Sequence, residues 1–202
     1  VDTTLDFVFD SGTTYVPIEL QRVVLWAVPP ELPYREILSF LTDIIPKTSG
    51  KEQRIACRKN PRQFFEWAFK LEEGVEWARQ ENALFDWNGR IFGVPMWHES
   101  TNLTVAASAS ATTINVGSTA NADYRIGGLV LLFTDQYTFD VAIIAAAGIS
   151  STTLTFETGI LNSYPVGTYV MPLRTGVIDG ANTRNNKYPV NLGVMQTRFR
   201  VL

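Results

Sequence analysis

The run Arg62-Gln63-Phe64-Phe65-Glu66-Trp67-Ala68-Phe69-Lys70-Leu71 sends Phe65, Trp67, Phe69 and Leu71 one way, and Gln63, Glu66, Ala68 and Lys70 nearly the other. A period of two is the mark of a β-strand with one face on a core, and aromatic residues favour that pleated surface. Downstream the period changes. Glu72, Glu73 and Glu76 stand in front of Val75, Ala78, Leu84 and Phe85, a pattern that suits a short helix with acids at its positive end. Asn88-Gly89 reads as a tight turn, and Arg90–Trp97 as a returning strand with Phe92, Val94 and Trp97. Strand, helix, strand makes a small α+β layer.

Upstream, Glu52–Arg58 alternates with Ile55 and Cys57 on one face, which places Cys57 in a core. Glu36–Ile45 is a β-branched-rich run stopped by Pro46 and a Thr48-Ser49-Gly50 turn. Leu20–Val28 is too apolar for an edge strand and is ended by Pro29-Pro30-Glu31-Leu32-Pro33, because proline removes donors. The residues before it read as irregular. At the other end, Tyr188–Leu192 and Met195–Leu202 read as one long strand with an irregular start that pairs back into the first sheet.

Charge divides the 202 residues into three blocks. Residues 1–100 carry 11 basic and 15 acidic side chains; residues 101–173 carry only Arg125 against Asp123, Asp135, Asp140 and Glu157; residues 174–202 carry five basic side chains against Asp179. A weakly charged block between two charged ones is the expected outcome of inserting one domain into another at an exposed loop. The expected organisation is a host domain of residues 1–100 plus 174–202, interrupted by an all-β domain at 101–173. Within the insert, Asn102–Val105 matches Thr113–Val116. Leu129–Phe133, Phe139–Ala145, Thr153–Phe156 and Val166–Leu173 follow, with turn signals about every 8–12 residues as in a sandwich or small barrel. The expected fold class is therefore mainly β, an α+β host with one flanking helix and a small all-β insert.

The same composition excludes much chemistry. One cysteine, Cys57, removes disulfide frameworks and cysteine zinc sites, and one histidine, His98, removes two-histidine metal motifs. A net charge of −3 argues against a general nucleic-acid binder. The apolar runs fall short of the roughly 20 residues of a spanning helix. In Met96-Trp97-His98-Glu99-Ser100, neighbouring strand residues would point apart, so His98 and Glu99 are not expected to pair, and His98 reads as structural. Glu72/Glu73/Glu76 and Asp135/Asp140 lack the setting of a glycosidase pair or a calcium loop. No catalytic residue, cofactor or metal is assigned. The basic run Lys47, Lys51, Arg54, Arg58, Lys59 and Arg62, next to Phe64, Phe65 and Trp67, reads as a charged face for a neighbouring subunit rather than for nucleic acid. Five tryptophans and twelve phenylalanines exceed what a small layer can bury alone, which points to contact with other chains. The start at Val1 and the stop inside Thr197–Leu202 are read as marks of a piece of a longer polypeptide.

The segment Gly50-Lys51-Glu52-Gln53-Arg54-Ile55-Ala56-Cys57-Arg58-Lys59-Asn60-Pro61-Arg62, entering an aromatic strand, resembles tail proteins of tailed bacteriophages, in particular distal-tail and tail-tip components. Ile126–Leu132, Tyr164–Thr168, Pro172–Gly176 and the closing Tyr188–Asn191 and Phe199–Leu202 extend the resemblance over roughly residues 36–202. It implies a tail-tube-like β-sandwich or barrel and a non-enzymatic virion structural protein. Such a protein would be assembled in the host cytoplasm into a ring of six copies, joining the tail tube to the tip or receptor-binding apparatus. Partners would be further copies and the tube, hub and fibre proteins, with no membrane insertion. Arg54, Arg58 and Arg62 would make intersubunit salt bridges or a lumen-facing basic patch, with Phe65, Trp67 and Phe69 packed beneath. The alternative function is a carbohydrate-binding, receptor-recognising tail module, which requires an exposed aromatic platform on 101–173.

Overall fold

A computed structural model describes residues 2–9, 12–19, 24–46, 50, 52–71, 74–86, 90–179, 184–187 and 193–202; for 2–9, 12–19, 184–187 and Asp86 only the backbone is considered. The expectations for Thr48-Ser49, Lys47, Lys51, Glu72, Glu73, Asn88-Gly89 and 188–192 lie outside the described residues. The chain is mainly β with one helix. Its strands are β1 (Asp2–Phe9), β2 (Gly12–Glu19), β3 (Val24–Leu25), β4 (Glu31–Ser39), β5 (Thr42–Pro46), β6 (Glu52–Ala56) and β7 (Arg62–Leu71). Helix α1 (Gly74–Asp86) and β8 (Phe92–Pro95) follow. Then come β9 (Thr101–Asn102), β10 (Thr113–Asn115), β11 (Leu129–Phe133), β12 (Phe139–Ile149), β13 (Thr153–Phe156), β14 (Tyr169–Ile178), β15 (Arg184–Lys187) and β16 (Gly193–Val201).

Among the described residues twelve strands form one sheet, whose longest path is β10-β13-β12-β11-β14-β16-β7-β4. The expected aromatic strand is β7. It lies between β16 and β4, with Phe199 opposite Phe65 and Thr197 opposite Trp67, so the C-terminal strand does return to this sheet. Phe65, Trp67, Phe69 and Leu71 are buried, as the alternation requires. Across the pair, Trp67 and Phe199 stack at 5.0 Å, and Trp26 meets Phe199, Phe69 and Phe92 edge-on at 5.2, 5.6 and 5.7 Å. Each such pair adds about 0.5–1.5 kcal/mol to the burial of its area.

Two apolar clusters divide along the chain. One draws on residues of 26–96 and 178–199, the other on residues of 103–170, and a smaller group of Ala27, Leu131, Phe133, Met171 and Leu173 lies where they meet. Strand β14 runs through the meeting point. Its first half pairs with β11 and β9, and its second half with β8 and β16. At the transfer stands Gly176, where a Cβ would meet Val94 Cγ2 at 2.9 Å and the Arg200 carbonyl oxygen at 3.0 Å. The close approach of three strands leaves no room for a side chain.

Several local expectations are corrected. Residues 2–9 and 12–19 pair as the antiparallel strands β1 and β2 rather than forming irregular chain. The run 36–45 is not one strand: Phe40 and Leu41 interrupt it, β4 joining the large sheet and β5 pairing only with β6. Of Leu20–Val28, residues 20–23 lie outside the described residues, Val24–Leu25 form the two-residue strand β3, and Trp26–Val28 are buried. In α1 the buried residues are Trp77, Gln80 and Ala83, with Leu84 half-buried, whereas Val75 and Phe85 face solvent. The strand expected to reach Trp97 ends at Pro95, and Trp97–Glu99 is a 3-10 turn. Thr101–Asn102 pairs with Val170–Tyr169, and the 102–105 segment meets 113–116 through the Leu103–Val116 bridge and a hydrogen bond from the Thr104 amide to the Asn115 carbonyl at 3.0 Å.

Phe199→Ala is expected to destabilise the chain by about 3–5 kcal/mol, and Gly176→Ala by about 1–3 kcal/mol through displaced backbone. Phe85→Ser should change stability by less than about 0.5 kcal/mol. Urea unfolding midpoints of the three variants check this ranking.

Candidate assembly surface

The β5–β6 hairpin stands apart from the large sheet, and every residue of both strands is exposed. It pairs from Thr42↔Ala56 to Pro46↔Glu52, and the Cys57 amide donates to the Leu41 carbonyl at 2.9 Å to close its base. Ile44 and Ile45 are adjacent and so point to opposite faces of the ribbon. Neither face is covered: Ile44 is 51% exposed, Ile45 42% and Ile55 42%. At the base Phe40 is 69% exposed, with Leu38 and Leu41 beside it.

Strand β4 prolongs this surface. It ends the longest strand path, so its outer backbone edge has no neighbour among the described residues. Its first half carries edge-blocking features, Pro33, Glu31 and Arg35 and an irregular register between Glu31 and Arg35. From Glu36 to Ser39 the register with β7 is regular, and the strand leads directly into Phe40-Leu41.

The three sequence-selected arginines lie along the hairpin and its exit. Arg54 is on β6, with Nη2 3.3 Å from Glu52 Oε2; both side chains are more than half exposed, so the pair is worth at most about 1 kcal/mol. Arg58 follows the hairpin, half-buried, with Nη1 buried and without a hydrogen-bond acceptor among the described residues. Arg62 opens β7 and lines a cleft of about 290 Å³ with Phe64, Val177, Ile178, Asp179 and Arg200. The Arg198 guanidinium lies 4.1 Å from the ring centre of Phe64, one of the lining residues, with Nε 3.3 Å from Asp179. The basic surface thus continues from the hairpin onto β7 and β16, supplied by residues far apart in sequence.

Phe65 and Trp67 are a correction. Each is 1% exposed and filled from within its own chain, Phe65 by Tyr34 and His98 and Trp67 by Tyr34 and Phe199. They pack beneath β7 and present almost no surface of their own. Most of the aromatic surplus is likewise accounted for internally, because β3, β7, β8, β16 and α1 all contribute to one cluster. Cys57 is also corrected: it is exposed, since a two-stranded hairpin has no core to receive it. The residues missed in the sequence are Phe40, Ile44 and Ile45, and Val75 and Phe85 on α1. Adjacent isoleucines in a short hairpin are the signal that would have found the first group.

His98 lies on Tyr34 and Phe65 at ring distances of 5.4 and 5.5 Å. The 3-10 turn brings its Nε2 within 3.4 Å of Glu99 Oε1, contrary to the strand-based expectation. Glu99 Oε2 accepts the Asp123 amide at 2.7 Å, and the Asp123 carboxylate is held by Arg125 and Arg174. Arg174 also donates to the Asp123 carbonyl at 2.9 Å, and Tyr124 Oη donates to the Val170 carbonyl at 3.3 Å. The network latches the 123–125 loop to the 97–99 turn and β14. Asp140 is buried and accepts from Leu161 N, Asn162 N and Asn162 Nδ2, while Asp135 accepts from the amides of Tyr137 and Thr138. Both acids of that pair are thereby occupied with structural bonds. Burial, with Glu99 and Glu36 nearby, pushes the Tyr34 phenol far above its ordinary range. Among the described residues no three His, Cys, Asp or Glu side chains gather as a metal site. No helix there is long and apolar enough to cross a membrane. For an aromatic sugar platform, Tyr124, Phe133, Phe156 and Tyr164 are buried, leaving Tyr137 and Tyr169 as the well-exposed rings of 101–173.

The chain matches no protein-family model and no curated protein.

The hydrogen bond from Arg125, with the charge of Arg174, holds the Asp123 carboxyl below its usual range. A lowered folded-state pKa stabilises above the unfolded value, about 3.9, and the contribution is lost as pH falls through the folded value. Asp123→Asn is therefore expected to lower the urea midpoint at pH 7, and to converge with the wild type near pH 2.

Proposed function

We propose that this chain is a structural, non-catalytic subunit of a bacteriophage tail that assembles with further copies into a ring. The ring joins the tail tube to the tip or receptor-binding apparatus, and the tube, hub and fibre proteins are its other partners. Its place is the virion tail, after assembly in the host cytoplasm. The inserted organisation, 101–173 within 1–100 and 174–202, sets the β-rich insert outside a tail-tube-like host.

The observation that supports this reading most is the β5–β6 hairpin. A two-stranded hairpin alone in water is marginally stable, because it buries little apolar area against the ordering of its backbone. This one carries exposed Ile44, Ile45 and Ile55, and its base carries exposed Phe40 and Leu41. Another chain laid against the hairpin supplies missing burial. Arg54, Arg58 and Arg62 then form the rim of that contact, where charges guide approach and register more than they add affinity.

Light scattering on the eluting protein should give a mass near six protomers, and a monomer at high concentration would overturn the reading. Three protomers would replace the ring with a central hub or fibre. Replacing residues 42–56 by a short glycine linker should abolish assembly while the circular dichroism of the remaining sheet persists.

A further inference from the structure

Of the apolar residues that mark α1 in the sequence, Leu84 packs against the aromatic cluster, whereas Val75, Ala78 and Phe85 are on the outside. Val75 and Phe85 are 69% and 81% exposed, and with exposed Ala78 and Asn82 they form a stripe at spacings of three, seven and ten residues. That spacing keeps side chains on one helical face. The opposite face is the one that packs, through Trp77, Gln80 and Ala83. The chain therefore has two apolar surfaces with no cover among its described residues, the α1 outer face and the β5–β6 hairpin, on different elements.

Their charges are complementary. Residues 42–62 contain six basic side chains, Lys47, Lys51, Arg54, Arg58, Lys59 and Arg62, against Asp43 and Glu52, a net of +4. Residues 72–86 contain five acids, Glu72, Glu73, Glu76, Glu81 and Asp86, against Arg79, a net of −4. The two segments are of equal and opposite net charge, while the whole carries only −3. Their lengths agree as well. Thirteen helical residues span about 20 Å, and five paired strand residues about 17 Å.

We infer that the β5–β6 hairpin of one copy docks along the outer face of α1 of the next. Ile45 and Ile55, which share one face of the hairpin through the Asp43↔Ile55 register, lie against Val75, Ala78 and Phe85, and the basic margins of the hairpin meet the acids of the helix segment. The inference rests on the self-assembly proposed above and names the surfaces that carry it. Two different surfaces make a head-to-tail contact, which closes into a ring when the rotation allows. Like charges also oppose the competing arrangements: hairpin on hairpin would bring +4 to +4, and helix on helix −4 to −4. The occupant is therefore a second copy in one orientation.

Site-directed cross-linking in a Cys57→Ser background tests this. The Ile45→Cys/Ala78→Cys double variant should form, on mild oxidation, a ladder of covalent oligomers that ends at the number of subunits in the ring. An equal mixture of Ile45→Cys and Ala78→Cys chains should give cross-linked dimers, and neither single variant alone should. Phe85→Asp, at a position that bears no core contact, should raise the concentration needed for assembly by about tenfold or more while leaving the urea midpoint unchanged. Dimers from Ile45→Cys alone would show hairpins meeting each other and overturn the inference. So would oligomers in light scattering without any 45–78 cross-link, a result that leaves self-assembly standing and assigns it to another surface. A wild-type chain that stays monomeric overturns both.

Discussion

Strand β14 is hydrogen-bonded to four other strands, and the rest of the structure depends on its doing so within ten residues. Val170 belongs to the apolar cluster built from 103–170, Met171 and Leu173 to the small group between the two clusters, and Ile178 to the aromatic cluster of β7, β8 and β16. A strand has two hydrogen-bonding edges, so serving four partners requires both edges to change partner along its length. The change is possible because β9 and β8 are separated by the Trp97–Glu99 turn on one edge, and because Gly176 admits the backbone of β16 on the other. The Asp123 latch holds the same region from the insert side.

Around that transfer the chain solves its burial problem unevenly. The sheet centre is saturated with aromatic rings in edge and stacked contacts, and β7 is filled from both flanks. The periphery is left bare. The hairpin of β5 and β6, the outer edge of β4 and the outward stripe of α1 keep large apolar side chains in water although polar residues would serve a free monomer better. Internal packing does not require those side chains there, which is the physical ground for assigning them to contacts between chains.

Charge follows the same division. Near the transfer, charged groups are tied into specific bonds, as with Asp123, Arg174 and Glu99 or with Asp140. On the bare elements they are grouped by sign, basic on the hairpin segment and acidic on the helix segment. Exposed pairs of this kind contribute little energy, but a grouped pattern selects orientation and rejects like surfaces.

The alternation of Phe65, Trp67, Phe69 and Leu71 determined β7 and its buried face from sequence alone, because side-chain direction in a strand depends on nothing beyond the period of two. The mainly β class, the helix after Leu71, the return of residues 195–202 and the three charge blocks were legible for similarly local reasons. The tertiary structure alone decided which apolar residues face a core. Val75 and Phe85 were indistinguishable from Trp77 and Ala83 until the sheet was placed on one side of α1, and Cys57 was indistinguishable from a core residue until β5 and β6 were seen to pair only with each other. It also decided that His98 and Glu99 meet, since a 3-10 turn and a strand aim neighbouring side chains differently. Burial is set by what arrives from elsewhere in the chain, and partners more than 100 residues distant, such as Phe199 against Trp67, leave no mark in the local pattern.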